Sequence, residues 1–295
     1  MADVPVHIEG RTLTLSNLDK VLYPETGFTK AQVVDYYVRI APVILPHLRG
    51  RPLTLVRYPD GVAGKSFFEK RRPPSAPEWV EVGGELDSVL CDEAATLVWL
   101  ANLAALELHT HQATVSTPGS PTAVVIDLDP GPPATVLDCA RVALDLRKLL
   151  NRLDLEAVVK TSGSKGLHLS VPIAPGTADD EDTKSFALAL GRLLADAAPD
   201  RVTVTMAKEQ RSGKVFVDWS QNDRHKTTVT AYSLRARPLP TVSTPVSWDE
   251  VVDAEEAGDV TRLQFQTDAV LERVGAIGDL FAANLASEQT VPNLA

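Results

Sequence analysis

The pattern of apolar and polar positions predicts a chain that mixes helices and strands. Apolar residues recur at helical spacing from Val33 to Leu48 and over 133–153 and 180–197, and an apolar stretch over 93–107 predicts another helix. Short apolar runs rich in β-branched and aromatic residues predict strands; these are 12–15, 53–59, 66–69, 123–126, 156–160, 167–171, 202–206 and 215–217. Residues 246–285 predict two or three short helices that pack by a few apolar positions.

The stretch from Ala123 to Gly131 joins a buried strand to two acids. Its first four residues are apolar, and the strand stops at a Pro-Gly turn. Asp127 and Asp129 are two positions apart, so the pleat directs both side chains to one face. Neighbouring carboxylates repel each other unless a cation lies between them, and Mg²⁺ is held in this way together with phosphates and water. A solvated strand end fits the same pair of acids, so a metal site needs further support.

Two other segments supply that support. Asp218 ends the apolar strand 215–217 as Asp129 ends its own, and a two-metal site would use a third carboxylate there. The loop T-S-G-S-K-G at 161–166 offers two glycines, the Ser162 hydroxyl and the Lys165 ammonium, which suit a phosphate chain. The spacing of a P-loop is absent from it.

Three histidines are candidates for lining a site. His109 and His111 follow the predicted helix 93–107 and share a face if the chain becomes extended. Zinc needs three or four ligands, and no other His or Cys lies close in sequence, which favours a site-lining or structural His109 over a zinc site. His168 alternates with apolar residues and therefore faces away from the core.

A group of polar residues surrounds the start of the first predicted helix. Asn17, Lys20 and Lys30 flank a capping pattern, Thr29-x-x-Gln32. Helix N-terminal amides attract anions, so these lysines predict a phosphate pocket, with ordinary exposed lysines as the alternative.

Aromatic and basic residues alternate near residue 70. Phe67 and Phe68 point to opposite faces if extended, so one is expected in the core and one in solvent, and Lys70 follows. Arg57 lies among apolar residues on the preceding strand. An exposed ring beside cations is a platform for unpaired bases, although a hydrophobic strand ended by a basic turn fits as well.

The net charge of −10 is unevenly distributed. Residues 245–295 carry ten acids and two bases, whereas 201–240 carry eight Lys or Arg and three acids. The basic segment includes Arg211, Lys214 and Lys226, and it predicts a small, defined nucleic-acid footprint. The two cysteines have no metal-binding or CxxC spacing and are expected to be reduced thiols, and no apolar run is long enough to span a bilayer.

Seven blocks together resemble the polymerase domain of bacterial DNA ligase D, within the archaeo-eukaryotic primase superfamily. They are DKVLYP with a later T-K, FFEK, ELH, VIDLDPG, TSGSKGLHL, KVFVDWSQN, and K-T-T followed by YSLRAR. The resemblance implies an α+β primase-polymerase core with central β-sheets flanked by helices. It implies one domain over 1–285, with an acidic helical end at 245–285 and a frayed tail at 286–295. No K-x-D-G ligase motif is present, so the chain resembles a stand-alone version or one domain of a longer protein.

The resemblance also implies a function. The family adds nucleotides, preferentially ribonucleotides, to a templated strand at gaps and broken ends during non-homologous end joining. The implied cofactors are two divalent cations, Mn²⁺ or Mg²⁺, with a nucleoside triphosphate as substrate. The implied partners are DNA bearing a 5′-phosphate, Ku and a separate ligase, in the cytoplasm at the nucleoid and with no membrane. The oligomeric state and any priming from scratch stay open.

Motif positions assign roles to individual residues. By resemblance, Asp127, Asp129 and Asp218 bind the cations; Ser162, Lys165, His168, Arg235 and His109 contact the nucleotide; Asn17, Lys20 and Lys30 bind the 5′-phosphate; Phe67, Phe68 and Lys70 contact the template; Arg211 brings two ends together; Arg57, Lys214 and Lys226 complete the DNA-binding set. The His-Thr-His sequence leaves the choice between His109 and His111 open.

Other functions remain as alternatives. A primase or a short-gap-filling polymerase of excision repair would use the same residues. A glycosyltransferase could use the D-x-D but has no use for a stacking Phe pair beside basic residues. A metal-dependent nuclease and a non-catalytic DNA-end-binding adaptor also fit, and primer extension, as opposed to shortening, separates them from a polymerase.

Overall fold

A computed structural model describes residues 3–292 and confirms the mixture of helices and strands. The strands are β1 (Val4–Ile8), β2 (Arg11–Leu15), β3 (Val21–Tyr23), β4 (Phe28–Thr29), β5 (Leu53–Arg57), β6 (Phe67–Glu69), β7 (Val82–Gly83), β8 (Ser88–Val89), β9 (Ala105–Thr110), β10 (Ala123–Pro130), β11 (Val158–Thr161), β12 (Leu167–Pro172), β13 (Val202–Thr203), β14 (Val215–Asp218), β15 (Thr228–Val229) and β16 (Pro245–Val246). The helices are α1 (Lys30–Leu48), α2 (Ala94–Asn102), α3 (Val136–Arg152), α4 (Asp180–Ala197), α5 (Trp248–Ala257) and α6 (Thr267–Ile277).

The chain divides into two compact units. Unit 1 comprises the residues up to Ser116 together with Thr227–Ser243 and Gln266–Gly278, and unit 2 comprises Thr117–Lys226, Thr244–Phe265 and the residues from Asp279. Two compact units are compatible with one catalytic domain, so the single domain over 1–285 stays a prediction.

Unit 1 is built on a four-stranded sheet in the order β15-β9-β5-β6. Helix α1 begins at the predicted capping box, in which the Thr29 hydroxyl accepts from the Gln32 amide and the Gln32 side chain accepts from the Thr29 amide. Two fully buried tyrosines of α1 hydrogen-bond into the rest of the unit, Tyr36 to the Tyr232 carbonyl and Tyr37 to the Leu106 carbonyl. These bonds fix the helix to the segment 232–236 and to β9.

The predicted helix over 93–107 is wrong beyond Asn102. Helix α2 ends there, Ala104 adopts a left-handed φ of 55°, and the chain continues as strand β9, which pairs with β5. A continuous apolar run is compatible with either a buried helix or a buried strand, so the sequence pattern does not distinguish them. The pairing with β5 favours the strand. The change matters because it places Glu107 and His109 on the same face of a strand.

Unit 2 is built on a six-stranded sheet in the order β13-β14-β10-β12-β11-β16. Strands β14, β10, β12 and β11 are antiparallel to their neighbours in this series, whereas β13 is parallel to β14. One face of the sheet joins helices α3 and α4 in a single hydrophobic core that includes Ile126, Leu128, Leu169 and Val217. Because side chains alternate along each strand, the residues between these apolar positions lie on the opposite face.

The C-terminal part contains the expected short helices, α5 and α6, with 3₁₀ turns at Val260–Leu263 and Ala282–Asn284. Within the tail predicted to be frayed, Ser287 donates to the Pro172 carbonyl, and the Gln289 side chain bonds the backbone of Glu156 and Pro172. Residues 293–295 of that tail lie outside the described residues. Both cysteines are free thiols. Across residues 3–292 no helix is both long enough and apolar enough to cross a membrane.

Candidate active site

Four polar residues lie side by side across unit 2. Lys160 on β11 pairs with His168 on β12, His168 pairs with Asp127 on β10, and Asp127 pairs with Asp218 on β14. All four side chains are buried. We call this set the polar row. It crosses four adjacent strands on the sheet face opposite the core, and it brings together three of the residues singled out in the sequence.

Asp129 lies two residues beyond Asp127 on the same face of β10, opposite Phe216. Partial desolvation of its carboxyl group, followed by the negative charges of Asp127 and Asp218, outweighs the opposing effects of His168 and Arg211 and raises the pKa of Asp129 to about 6. Burial and the neighbouring like charges therefore disfavour ionisation of this acid.

The Asp218 carboxylate is oriented by its own 3₁₀ turn. Its Oδ1 accepts from the amide of Ser220 at 3.0 Å and from the Ser220 hydroxyl at 2.5 Å, and its Oδ2 accepts from the Gln221 side chain at 2.9 Å. Lys226, predicted to bind DNA, donates to the Ser220 hydroxyl. Lys226 is thus connected to Asp218 through one intervening hydroxyl.

The three acids suit a divalent cation in chemistry and in backbone position. They supply only carboxylate oxygens, which Mg²⁺ and Mn²⁺ prefer. A carboxylate has about four acceptor positions, so the three donors on Asp218 leave capacity for a cation. Among the described residues, no group of three or more His, Cys, Asp or Glu side chains has the assembled geometry of a metal site. The metal assignment therefore stays a proposal based on donor type, register and the mutual repulsion of the acids.

The loop 161–166 joins β11 to β12 beside the polar row. The Ser162 hydroxyl oxygen accepts from the amides of Ser164 at 3.2 Å and Gly166 at 3.1 Å, which closes the loop on itself. A Cβ at Gly166 would lie 1.9 Å from the Leu128 carbonyl oxygen, so only glycine allows this approach to β10. The Lys165 side chain, in the same loop, is exposed.

In unit 1, one carboxylate organises two of the predicted nucleotide-binding residues. Glu107 contacts His109 Nε2 at 2.9 Å through Oε2, and Arg235 Nε at 3.1 Å through Oε1. The Ala236 amide also donates to Oε1. Burial raises the pKa of Glu107, but the hydrogen bond from His109 and the charge of Arg235 outweigh it and bring the pKa to about 2. His111 lies just beyond β9, and its carbonyl accepts from Arg51.

The predicted phosphate residues are neighbours in unit 1. The Lys30 amide donates to the Lys20 carbonyl, and the Lys20 amide donates to the carbonyl of Asn17, which has a left-handed φ of 52°. The buried Lys30 ammonium donates to the Ser16 carbonyl, whereas Lys20 forms an exposed ion pair with Asp60. Burial, followed by the charges of Lys20 and Arg57, lowers the pKa of Lys30 to about 8.

This pKa gives a testable pH dependence. We expect the affinity advantage of a 5′-phosphorylated gap over an unphosphorylated one to be largest near pH 7, where the phosphate is mostly a dianion and Lys30 is mostly protonated. The advantage decreases as the pH rises through about 8, because Lys30 in the free protein loses its proton over that range. Fluorescence anisotropy with the two gapped duplexes measures the ratio of dissociation constants.

The matched variant replaces Lys20 by Ala and Lys30 by Met. We expect a ratio of dissociation constants of about ten or more in the unsubstituted protein to fall to about one at every pH, because both charge-assisted hydrogen bonds are lost. Lys148→Ala, which removes an exposed lysine from α3, is the control and leaves the ratio unchanged. A double variant that weakens binding to both duplexes equally places the pocket elsewhere.

The aromatic pair differs from the expectation that one ring is in the core. Phe67 is 51% exposed and Phe68 is 71% exposed. Their strand, β6, lies at the edge of its sheet beside β5. Because the two rings point to opposite faces and both are exposed, neither face of β6 is fully covered at these positions. Arg57 donates to Glu69 at 2.7 Å and to the Leu103 carbonyl, and Lys70 follows β6 in an exposed position.

Two cations of the basic loop in unit 2 have partners within the protein. The Arg211 guanidinium lies 3.6 Å from the centre of the Phe216 ring and donates to the carbonyls of Thr205 and Met206. Lys214 donates to the Pro199 carbonyl at 2.7 Å. In this conformation both side chains stabilise the loop, and binding to DNA would exchange these partners for phosphates.

Glu107, Lys160 and Ser220 were missed by the sequence analysis. Glu107 stands two residues before His109, so alternation along a strand would have paired them had the segment not been predicted as helix. Lys160 is directly opposite His168 because of the register between β11 and β12. The short loop that joins these two strands is the one sequence signal for that register. Ser220 carries a weaker signal, a hydroxyl two residues after a strand-ending acid.

Comparisons with known proteins identify the family of this chain. The family described as LigD, primase-polymerase domain, matches residues 29–281. The multifunctional non-homologous end joining protein LigD of Mycolicibacterium smegmatis is 45% identical over 276 residues, which are 91% of this chain and 35% of that protein. The bifunctional protein LigD of Bacillus subtilis is 32% identical over 272 residues, which are 92% of this chain and 43% of that protein. The chain thus spans less than half the length of these relatives.

A solved structure also matches. The polymerase domain of Mycobacterium tuberculosis ligase D, determined in complex with DNA, is 41% identical, and the match has a TM-score of 0.85 over 94% of this chain and 99% of that one. The expected α+β primase-polymerase fold is therefore confirmed. On these matches, this chain belongs to the LigD primase-polymerase domain family, which is a family of nucleotidyltransferases.

Proposed function

We propose that this chain is a template-dependent polymerase that adds nucleotides, with ribonucleotides preferred, at gaps and broken DNA ends during non-homologous end joining. The observation that carries the proposal is the pairing of Asp127 with Asp218 across two strands, with Asp129 beside them and the loop 161–166 next to them. Membership of the LigD family and the DNA complex of the M. tuberculosis domain support it.

The proposed reaction is an in-line displacement. The 3′-hydroxyl oxygen of the primer bonds to the α-phosphorus of the nucleoside triphosphate, the bond to pyrophosphate breaks, and the hydroxyl proton leaves to solvent. Asp127, Asp129 and Asp218 would hold two divalent cations, Mn²⁺ or Mg²⁺, which when bound lower the pKa of the attacking hydroxyl and offset charge on the leaving group.

The side chains of the protein bind and orient. In unit 2, Ser162, Lys165 and His168 are proposed to contact the triphosphate, and the ammonium of Lys165 would offset negative charge on the departing pyrophosphate. In unit 1, His109 and Arg235 are proposed to contact the nucleotide. The Glu107 carboxylate fixes both of these side chains before any nucleotide arrives, which reduces the entropy lost on binding.

The proposed DNA contacts are spread over two sets of residues. Asn17, Lys20 and Lys30 would bind a 5′-phosphate, supported by the depressed pKa of Lys30 in an electropositive environment. The exposed rings of Phe67 and Phe68 with Lys70 would stack on an unpaired template base. The remaining proposed DNA contacts are Arg57, Arg211, Lys214 and Lys226.

The proposed biological setting follows from the names of the relatives. Those proteins are described as non-homologous end joining proteins, which supports a role of this chain in that process. From the resemblance of its motifs to the family, Ku and a separate ligase are the proposed partners. We place the protein in the cytoplasm at the nucleoid, where its DNA substrate lies.

Primer extension on a one- to three-nucleotide gap tests the proposal. We expect a labelled primer to lengthen to the gap size with Mn²⁺ or Mg²⁺ and ribonucleotides, more slowly with deoxynucleotides, and not at all with EDTA. Omitting one templated nucleotide stops extension at that position. Primer shortening without nucleotides would instead identify a nuclease, and metal-independent binding without either reaction would identify an end-binding adaptor.

A further inference from the structure

The end of the polar row farthest from Asp218 is a buried lysine. Lys160 is 4% exposed, and its Nζ lies 3.0 Å from Nδ1 of His168. On the opposite edge of the ring, His168 Nε2 lies 3.3 Å from Asp127 Oδ1. The imidazole is therefore located between an amine on one side and a proposed metal-binding carboxylate on the other.

The donor chemistry of lysine determines the state of the ring. In its ammonium form Lys160 carries three N–H donors and no acceptor, so Nδ1 of His168 accepts from it at 3.0 Å. In a neutral imidazole the one ring hydrogen then belongs on Nε2, which is the nitrogen nearer Asp127. We propose that Lys160 is a positioning residue that holds His168 as the Nε2–H tautomer.

The consequence concerns what His168 offers to the site. With its hydrogen on Nε2, the ring presents a donor on the side of the acidic residues, available to a phosphate oxygen, and has no lone pair there for a metal ion. With the hydrogen on Nδ1, the Nε2 lone pair would face the Asp127 carboxylate, repel it and compete with it as a cation ligand. The role of His168 toward a nucleotide rests on the proposed function, whereas its tautomer does not.

The backbone makes this arrangement durable. Lys160 and His168 are directly opposite in the β11–β12 register, and the loop between them closes on the Ser162 hydroxyl. The lysine stem therefore approaches the ring from a fixed direction. The neighbouring residue Val159 lies in the core of unit 2, so the alternation of the strand directs the Cα–Cβ bond of Lys160 to the opposite face, where His168 lies.

Nitrogen-15 NMR of the imidazole groups tests the proposal on the whole chain without metal or nucleotide. His168 is assigned by the signals that disappear in His168→Gln. We expect the unsubstituted protein to show the Nε2–H tautomer alone. Lys160→Met, which keeps the length of the side chain and removes the donor, should give a mixture of tautomers, and Lys160→Arg, which is again only a donor, should restore the Nε2–H form. An Nδ1–H form in the unsubstituted protein, or an unchanged tautomer in Lys160→Met, overturns the proposal.

Binding of ATP with Mg²⁺, measured by calorimetry, gives the second readout. We expect Lys160→Met to weaken binding about five- to tenfold, the loss of one hydrogen bond's contribution, and Lys160→Arg to recover most of it. The double variant with His168→Ala should bind no more weakly than His168→Ala alone, because Lys160 acts through that ring. Additive losses contradict the positioning role.

The two readouts separate the inference from the function. If His168→Ala binds ATP as tightly as the unsubstituted protein, the proposed contact between His168 and the nucleotide is wrong. The NMR measurement of the His168 tautomer then still tests the positioning role of Lys160. If Lys160→Met does not fold, as judged by circular dichroism, the tautomer in the unsubstituted protein and in Lys160→Arg decides the matter alone.

Discussion

Asp127→Asn is expected to lower the rate of nucleotide addition by at least about 1,000-fold, because it removes the central carboxylate of the proposed cation site, whose contribution amounts to several kcal/mol. The amide has the shape of the carboxylate, so the sheet should not need to repack. DNA affinity is expected to stay within a few fold. Single-turnover primer extension at saturating Mn²⁺ measures the rate, and anisotropy measures DNA binding.

The same variant carries a readout that does not depend on catalysis. Asp127 is one of the groups that raise the pKa of Asp129 to about 6, so removing its charge should lower the pKa of Asp129. Carboxyl carbon NMR follows this titration in the metal-free protein. Relief of like-charge repulsion also predicts that Asp127→Asn is no less stable at pH 7 than the unsubstituted protein.

The matched control is Asp145→Asn on helix α3. Asp145 forms a surface pair with Lys148, and losing it should change stability by less than about 1 kcal/mol and leave nucleotide addition unchanged. Extension at the normal rate by a folded Asp127→Asn protein would remove Asp127 from the proposed cation site and, with it, the assignment of the polar row.

Local signals in the sequence predicted much of the fold. The helix expected over 180–197 is α4, and the capping box at Thr29 starts α1, because both depend on contacts within a few residues. The prediction of a helix over 93–107 was wrong beyond Asn102, because pairing with β5 is a contact between distant segments. The prediction that one of the two phenylalanines is in the core was wrong for a related reason. Alternation gives the two faces of β6 but does not say whether other residues cover them.

The candidate site likewise contains residues that the sequence predicted and residues that it did not. The D-x-D of β10 and the acid ending β14 were recognisable from the acids that follow apolar runs. Their direct pairing was not, because it arises from Asp127 lying inside β10, which continues to Pro130, opposite the last residue of the antiparallel β14. Lys160 and Glu107 were not recognisable, because each acts on a residue whose position depends on strand register or on a helix-to-strand change. Partners of site residues are therefore harder to predict than the site residues themselves.

Glu107→Gln is expected to destabilise the protein by about 3 kcal/mol at pH 7. The pKa of this buried carboxyl is lowered from 4.5 to about 2, and that difference between unfolded and folded states corresponds to about 3 kcal/mol of stability. The physical cause is the loss of a charged acceptor shared by His109, Arg235 and the Ala236 amide. Urea unfolding followed by circular dichroism measures it.

The sign of the pH dependence distinguishes charge from packing. A depressed pKa contributes stability that is fully present above pH 4.5 and is lost as the pH falls toward 2. The gap between the unsubstituted protein and Glu107→Gln should therefore shrink progressively as the pH falls below 4.5. Carboxyl groups that do not interact with residue 107 titrate in both proteins and cancel in the difference. A gap that stays the same at pH 3.5 would assign the loss to packing.

Glu69→Gln is the control within unit 1. Glu69 accepts from Arg57 at 2.7 Å, but its side chain is 27% exposed and has one cationic partner, so its loss should cost about 1 kcal/mol or less. Nucleotide affinity should fall in Glu107→Gln and stay unchanged in Glu69→Gln. The reason is that Arg235 and His109 lose their fixed orientation only when Glu107 is replaced. Equal losses of nucleotide affinity in the two variants would mean that general destabilisation, and not the orientation of these two side chains, governs binding.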